Sequence, residues 1–413
     1  MTAAFLRACL VALLAVAVSA QAQGQPKAAA ADPNDACLMC HGDAGARSAA
    51  GKSVAVDAKK YASSVHGGMS LPCTACHADV KEGAFPHGEV KPVECAGCHE
   101  KAVKEYTATI HGRARAGGNQ VAAKCASCHG THDILKSADA GSRTGRANIE
   151  ATCAACHGND RLVQSASLPG GNVASMYHDS IHGQAMAQKT SARDAVPTCT
   201  NCHGAHDMRP KSDPESRVGR ANIPATCGAC HMGVKATWEQ SEHGRLRQDK
   251  QLHAPGCTDC HSAHQIKQHE DPKFKLSVTD QCGTCHADFA GTYRDTFHGQ
   301  VTRLGYSQIA TCASCHGGHT VLPKTNPASK VSAQNRLATC QQCHPKANAN
   351  FVSFDPHANK HSPERGKVLF FAGKFMDFLL LGVFSVFGLH TLLWFIRSLR
   401  AMRERRGTSP PRS

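Results

Sequence analysis

A chain of 413 residues with 23 cysteines, 27 histidines and only 5% aromatic residues has too little aromatic material for a conventional apolar core of that size. Cysteine at this density points to disulfides, metal or a covalently attached cofactor. The formal net charge of +14 would ordinarily suggest an acidic partner such as nucleic acid, a reading that the cofactor charges below exclude.

In chain order, residues 1–22 read as a signal peptide. "MTAAFLR" supplies one positive charge, "ACLVALLAVAV" is apolar but short for a span, and Ala20-Gln21-Ala22 fits a small-x-small cleavage site. Cys9 lies within this leader, and an Ala-rich linker follows at 23–36.

From residue 37 every cysteine falls in a C-x-x-C pair followed at once by histidine, eleven times in all. Residues 37–100 hold the first three motifs: Cys37, Cys40 and His41; Cys73, Cys76 and His77; Cys95, Cys98 and His99. Residues 101–345 hold eight more. These are Cys125, Cys128 and His129; Cys153, Cys156 and His157; Cys199, Cys202 and His203; and Cys227, Cys230 and His231. Then come Cys257, Cys260 and His261; Cys282, Cys285 and His286; Cys312, Cys315 and His316; and Cys340, Cys343 and His344. C-x-x-C-H is the attachment signature of c-type haem. The two thiols add to the two porphyrin vinyls, and the adjacent histidine becomes the proximal iron ligand. Zinc needs two cysteine pairs per ion and no histidine at the next position, and a disulfide framework has no use for that histidine. The cofactor is therefore haem c, eleven times. Two propionates per haem outweigh the basic excess, so the lysines and arginines read as propionate partners and no nucleic acid is expected.

The other histidines expose a repeat. "YASSVHG" (61–67), "YTATIHG" (106–112), "YHDSIHG" (177–183), "TWEQSEHG" (237–244) and "YRDTFHG" (293–299) each precede two C-x-x-C-H motifs. These five units leave the motif at Cys37 alone, and 101–345 holds four of them. Each unit offers two further histidines as candidate distal ligands: His66 and His87, His111 and His132, His182 and His206, His243 and His264, His298 and His319. "PHANKHSPERG", in the segment 346–374, supplies His361, with His357 in reserve. His132 follows the proximal His129 by three residues and cannot reach the opposite face of the same porphyrin, so as a ligand it serves a different haem. The segments joining His99 to His111, His231 to His243 and His286 to His298 look helical. Twelve residues of helix rise about 18 Å, too far for both ends to grip one iron.

In its doubled C-x-x-C-H motifs and second histidines, roughly Cys37 to His361, the chain resembles the multihaem c-type cytochromes, from small tetrahaem cytochromes to decahaem conduits. The resemblance implies bis-histidine haems stacked in pairs along a wire that carries electrons through the periplasm. The eleven motifs and a C-terminal anchor are departures from it. With about one haem per 30 residues the porphyrins must form the core. The expected fold is mostly α and irregular, haem-dominated, built from about five dihaem repeats plus one transmembrane helix. Without haem it should not fold.

"FMDFLLLGVFSVFGLHTLLWFI" (375–396) is long and apolar enough to cross a bilayer. The tail 397–413 carries Arg397, Arg400, Arg403, Arg405 and Arg406, which by the positive-inside rule places it in the cytoplasm and the haem domain in the periplasm, on the inner membrane. His390, inside the span, is a candidate for a membrane partner or a quinone site. The anchor resembles those of cytochromes that act beside a cytochrome b subunit. The function expected is a membrane-anchored periplasmic electron carrier between a quinone-linked, cytochrome b-type membrane partner and a periplasmic or outer-membrane redox protein, with no catalytic residue. The alternative is a reductase or oxidase of small nitrogen or sulfur compounds. That chemistry needs one open iron, which several relatives mark by lysine in place of the proximal histidine; no motif here does so.

Overall fold

Short helices and tight turns carry the chain. In the computed structural model residues 32–407 are described, apart from 82, 84, 189–193 and 252. The expected signal peptide and most of the linker lie outside the described residues. Among the described residues no strand forms, only one bridge between Arg47 and Ser53. The chain divides into two units, one reaching to Cys153 and one starting at Ala154, each considered by itself. The mostly helical, irregular architecture is the one the sequence leads us to expect.

The first C-x-x-C-H motif of four repeats is a helix of little more than one turn: Cys125–His129, Cys199–His203, Cys257–His261 and Cys312–His316. Helical spacing of three puts both thiols on one face, with the histidine beside them. The residue after these histidines turns the chain with positive φ: Gly130 (88°), Gly204 (81°), Gly317 (83°) and, in one copy, Ser262 (62°). A Cβ at Gly130 or Gly204 would also press on the carboxylate of Asp133 or Asp207 three residues later. Where serine replaces glycine, that later residue is Gln265. The second motif ends or follows a longer helix, as in Ile149–His157 and Pro272–Cys285. From it, helices such as Ala96–Thr107, Met232–Glu239 and Ala287–Asp295 lead to the next repeat. The first of these is interrupted at its proximal histidine, His99 (φ −114°, ψ 40°).

A break then starts a new short helix at each "HG" histidine. Its N-cap is the hydroxyl two residues before that histidine: Ser64, Thr109, Ser180, Ser241 or Thr296. Each accepts from the N–H of the glycine after the histidine, at 3.0–3.2 Å. Four of the five hydroxyls also donate to the carbonyl of the preceding aromatic residue, for example Thr109 to Tyr106 at 2.6 Å. The two backbones run so close here that a side chain on Gly112 would overlap the Tyr106 carbonyl, and the other four copies repeat this contact. The tyrosine hydroxyl in turn donates to the carbonyl two residues before the next cysteine pair: Tyr61 to Leu71, Tyr106 to Ala123, Tyr177 to Pro197 and Tyr293 to Ala310, at 2.6–2.8 Å. Trp238 cannot do this. In its copy Arg247 donates to the Ala254 carbonyl at 3.4 Å.

Between the two motifs of three repeats runs the same hydrogen-bonded loop. Asn148, Asn222 and Asn335 each donate to two loop carbonyls at 2.7–3.0 Å. Thr152, Thr226 and Thr339 donate to a third. The described interior is accordingly polar. Buried apolar residues are Ile149, Val163, Met186, Val196, Ala254, Ala290, Tyr293 and Ala347, against fifteen buried polar or charged ones, mostly serine and threonine. Side chains alone do not supply the hydrophobic core a domain of this size needs.

The last helix, Lys367–Gly407, is 41 residues long, about 60 Å of rise against a hydrocarbon layer of about 30 Å. It fits a single-pass membrane anchor, and none of its apolar window is buried in the protein. It extends past both ends of the predicted span 375–396: residues 367–374 (KVLFFAGK) add a mostly apolar stretch between two lysines, and the arginine-rich turns after Ile396 continue the helix. Lys374 and Asp377 pair at 3.9 Å near its start.

Candidate functional site

Each cysteine motif presents a proximal histidine, and the fold brings a second imidazole to face nine of the eleven among the contacts described. In the first unit His41 faces His87, His99 faces His66 and His77 faces His132, with ring centroids 5.8, 6.1 and 6.3 Å apart. In the second unit the pairs are His231 with His182, His203 with His264, His286 with His243, His261 with His319, His344 with His298 and His316 with His357, at 5.9–6.2 Å. His111, His129, His157 and His206 have interactions of their own as well.

The spacing fits a haem iron held from both faces. Bonds of about 2 Å to one nitrogen of each imidazole put the ring centroids roughly 6 Å apart. None of the cysteines from Cys37 to Cys343 forms a disulfide, so every thiol pair keeps the form that haem attachment requires.

The pairs follow a rule. An "HG" histidine faces the second proximal histidine of its own repeat, as His182 faces His231. The histidine three places after a first motif faces the first proximal histidine of the preceding repeat, as His264 faces His203 and His319 faces His261. Backbone bonds fasten the same joints: Val65 N–H to Ile134 O in the first unit, and Ile181 to Ile266 and Glu242 to Val321 in the second, at 2.8–2.9 Å.

The departure from expectation is at the C-terminal end. The ring opposite His316 is His357, whereas His361 is exposed with its backbone N–H bonded to Asn359. His357 is held there by Thr292, Phe289 and Arg365, contacts that a spacing of four residues in the sequence does not reveal.

Second contacts orient the rings. The Nδ1 atoms of His41 and His87 lie 2.8 Å from the carbonyls of Val54 and Gly88, which leaves Nε2 to point at the partner. Phe274 stacks on His261 at 5.1 Å and Phe351 covers His344 at 5.0 Å. Burial, with a neighbouring imidazole as the lesser cause, holds His203, His243, His261 and His316 below the usual histidine range. Neutral imidazole is the form that binds metal. The capping hydroxyl, the glycine and the aromatic residue (tyrosine in four copies, Trp238 in the fifth) of each "HG" segment stand at fixed places in the repeats, but ligand chemistry alone does not single them out. His390 lies along the exposed apolar helix.

Comparison with known proteins points to the same class of protein. Residues 119–272 match the family described as outer membrane cytochrome MtrC/MtrF-like, domains II/IV. The cytochrome c-type protein NrfB of Escherichia coli O6:H1 is 24% identical over 153 residues, which cover 34% of this chain and 75% of that protein. No solved structure matches. These matches support a multihaem c-type cytochrome, a class that suggests electron transfer.

Proposed function

We propose that the chain is a membrane-anchored electron-transfer cytochrome carrying eleven covalent haems, each iron held between two histidines. The observation that carries this reading is the facing of proximal and second imidazoles at 5.8–6.3 Å in both units. The cysteine pairs would hold the cofactors, the histidine of each motif would bind the metal, and the repeat segments bring a second imidazole from the same or a neighbouring repeat to face it. When bound, the haems supply outer-sphere one-electron transfer, with no substrate at the metal. The chain's residues bind, orient and keep the ligand imidazoles neutral.

The leader and the arginines after the apolar helix support a haem domain in the periplasm, anchored in the inner membrane with its C-terminus in the cytoplasm. A quinone-linked or cytochrome b-type membrane subunit is the proposed partner on one side and a periplasmic or outer-membrane redox protein on the other. His390, an ionisable residue within the span, supports a partner helix or a quinone contact.

Haem counting by mass and absorbance on the purified protein, with paramagnetic resonance of the oxidised form, tests the reading. Eleven haems, all low-spin and inert to carbon monoxide when reduced, are expected. A vacant iron that turns over a small nitrogen or sulfur compound would replace it with the enzyme reading. Reconstitution with a quinol and the membrane partner should reduce the haems; no reduction would remove the quinone link alone.

A further inference from the structure

We infer that the sixth ligand of the iron held at Cys312, Cys315 and His316 is His357, delivered by the segment that leads into the membrane helix, with Thr292 as its positioning residue; this rests on the bis-histidine reading above. The His357 and His316 ring centroids are 6.2 Å apart, the same separation as in the pairs formed wholly within the repeats.

The tautomer follows from the hydrogen bonds. Thr292 is 5% exposed, and its single hydroxyl proton is shared between the carbonyls of Asp288 and Phe289, at 3.2 and 3.1 Å. With its proton so used, Thr292 Oγ1 accepts from His357 Nδ1–H at 3.1 Å. The Nε2 lone pair is then left for the metal. Phe289 meets the His357 ring edge-on at 5.1 Å. Arg365 lies over Phe289 at 4.8 Å and donates to the His357 carbonyl at 3.0 Å. His361, four residues on, has its imidazole in the open.

The other eight described pairs take both ligands from residues 41–344. This pair takes one from a segment ten residues ahead of Lys367, where the membrane helix begins.

The test uses the full-length holoprotein in detergent, with His357→Ala, His361→Ala, Thr292→Val and Thr292→Ser. His357→Ala should keep eleven haems, turn one high-spin, bind one carbon monoxide when reduced, and return to low spin with added imidazole. His361→Ala should match the parent. Thr292→Val should displace the low-spin resonance of one haem, and Thr292→Ser should restore it. A fully low-spin His357→Ala protein with eleven haems, or a high-spin haem arising from His361→Ala instead, overturns the assignment. Should His357→Ala fail to accumulate, identical spectra for the two Thr292 variants overturn it. A parent protein with fewer than eleven haems or an open iron points instead to failure of the bis-histidine reading.

Discussion

At Ser262 one side chain stands where three sister repeats have glycine. Its φ of 62° and ψ of −177° fall in a region that is nearly exclusive to glycine, at a cost of about 1–3 kcal/mol. Ser262→Gly should therefore raise the thermal midpoint of the holoprotein, equivalent to about 1 kcal/mol or more, and an unchanged or lower midpoint would contradict this. Protonation acts on residues too. Burial disfavours the charged form of His203, His243, His261 and His316, and in the proposed holoprotein a proton must also displace iron from the same imidazole nitrogen. Ligation is therefore complete near neutral pH and is lost on acidification, as protons take the ring nitrogens. Acidification of the oxidised protein should convert low-spin to high-spin haem, and mild alkali should not, as optical titration would show. The C-x-x-C-H triplets are legible residue by residue because covalent chemistry fixes their spacing. His357 was not legible against His361, because the choice is made by Thr292 and Phe289 some 65 residues away.

Among the elements, the short "HG" helices do the most positioning for their size. An isolated helix of seven residues such as Glu242–Gln248 would not persist in water, so its cap decides where it starts. Ser241 is 2% exposed, accepts from Gly244 N–H at 3.1 Å and donates to the Trp238 carbonyl at 2.6 Å. Ser241→Ala removes both bonds and should cost about 1–2 kcal/mol. Ser241→Thr should recover most of it, since Thr109 and Thr296 fill the same place in other repeats. Equal melting of the two variants would show that the cap does not matter. Helix existence was readable from periodicity in segments such as the one joining His99 to His111. The break between the two helices of each repeat was not, because a close backbone approach and a hydroxyl cap cause it, not a change in hydrophobic pattern.

For the whole molecule the deciding quantity is the shortage of apolar side chains inside. A buried set rich in serine and threonine satisfies backbone groups but provides little hydrophobic stabilisation. Chain expressed without haem attachment should lack the helical circular dichroism and the cooperative melt of the holoprotein; a folded haem-free form would show that the polypeptide suffices. The repeat and its supply of histidines could be read along the sequence. Which histidine faces which could not, since half of the described rule links different repeats and depends on the backbone joints at Ile134, Ile266 and Val321.

Within each unit, the described pairs have a repeat borrowing one imidazole from its successor. An array built this way grows or shrinks by whole repeats, two cofactors at a time, with no iron orphaned in the middle. Only its ends need special provision. At the start an unpaired motif takes up the surplus donor His87, and at the finish the loan is closed by His357 from outside the array. Deleting one internal repeat at matching boundaries should leave a shorter conductor with nine saturated irons, whereas a deletion of half a repeat should leave an unmatched imidazole or an unmatched metal.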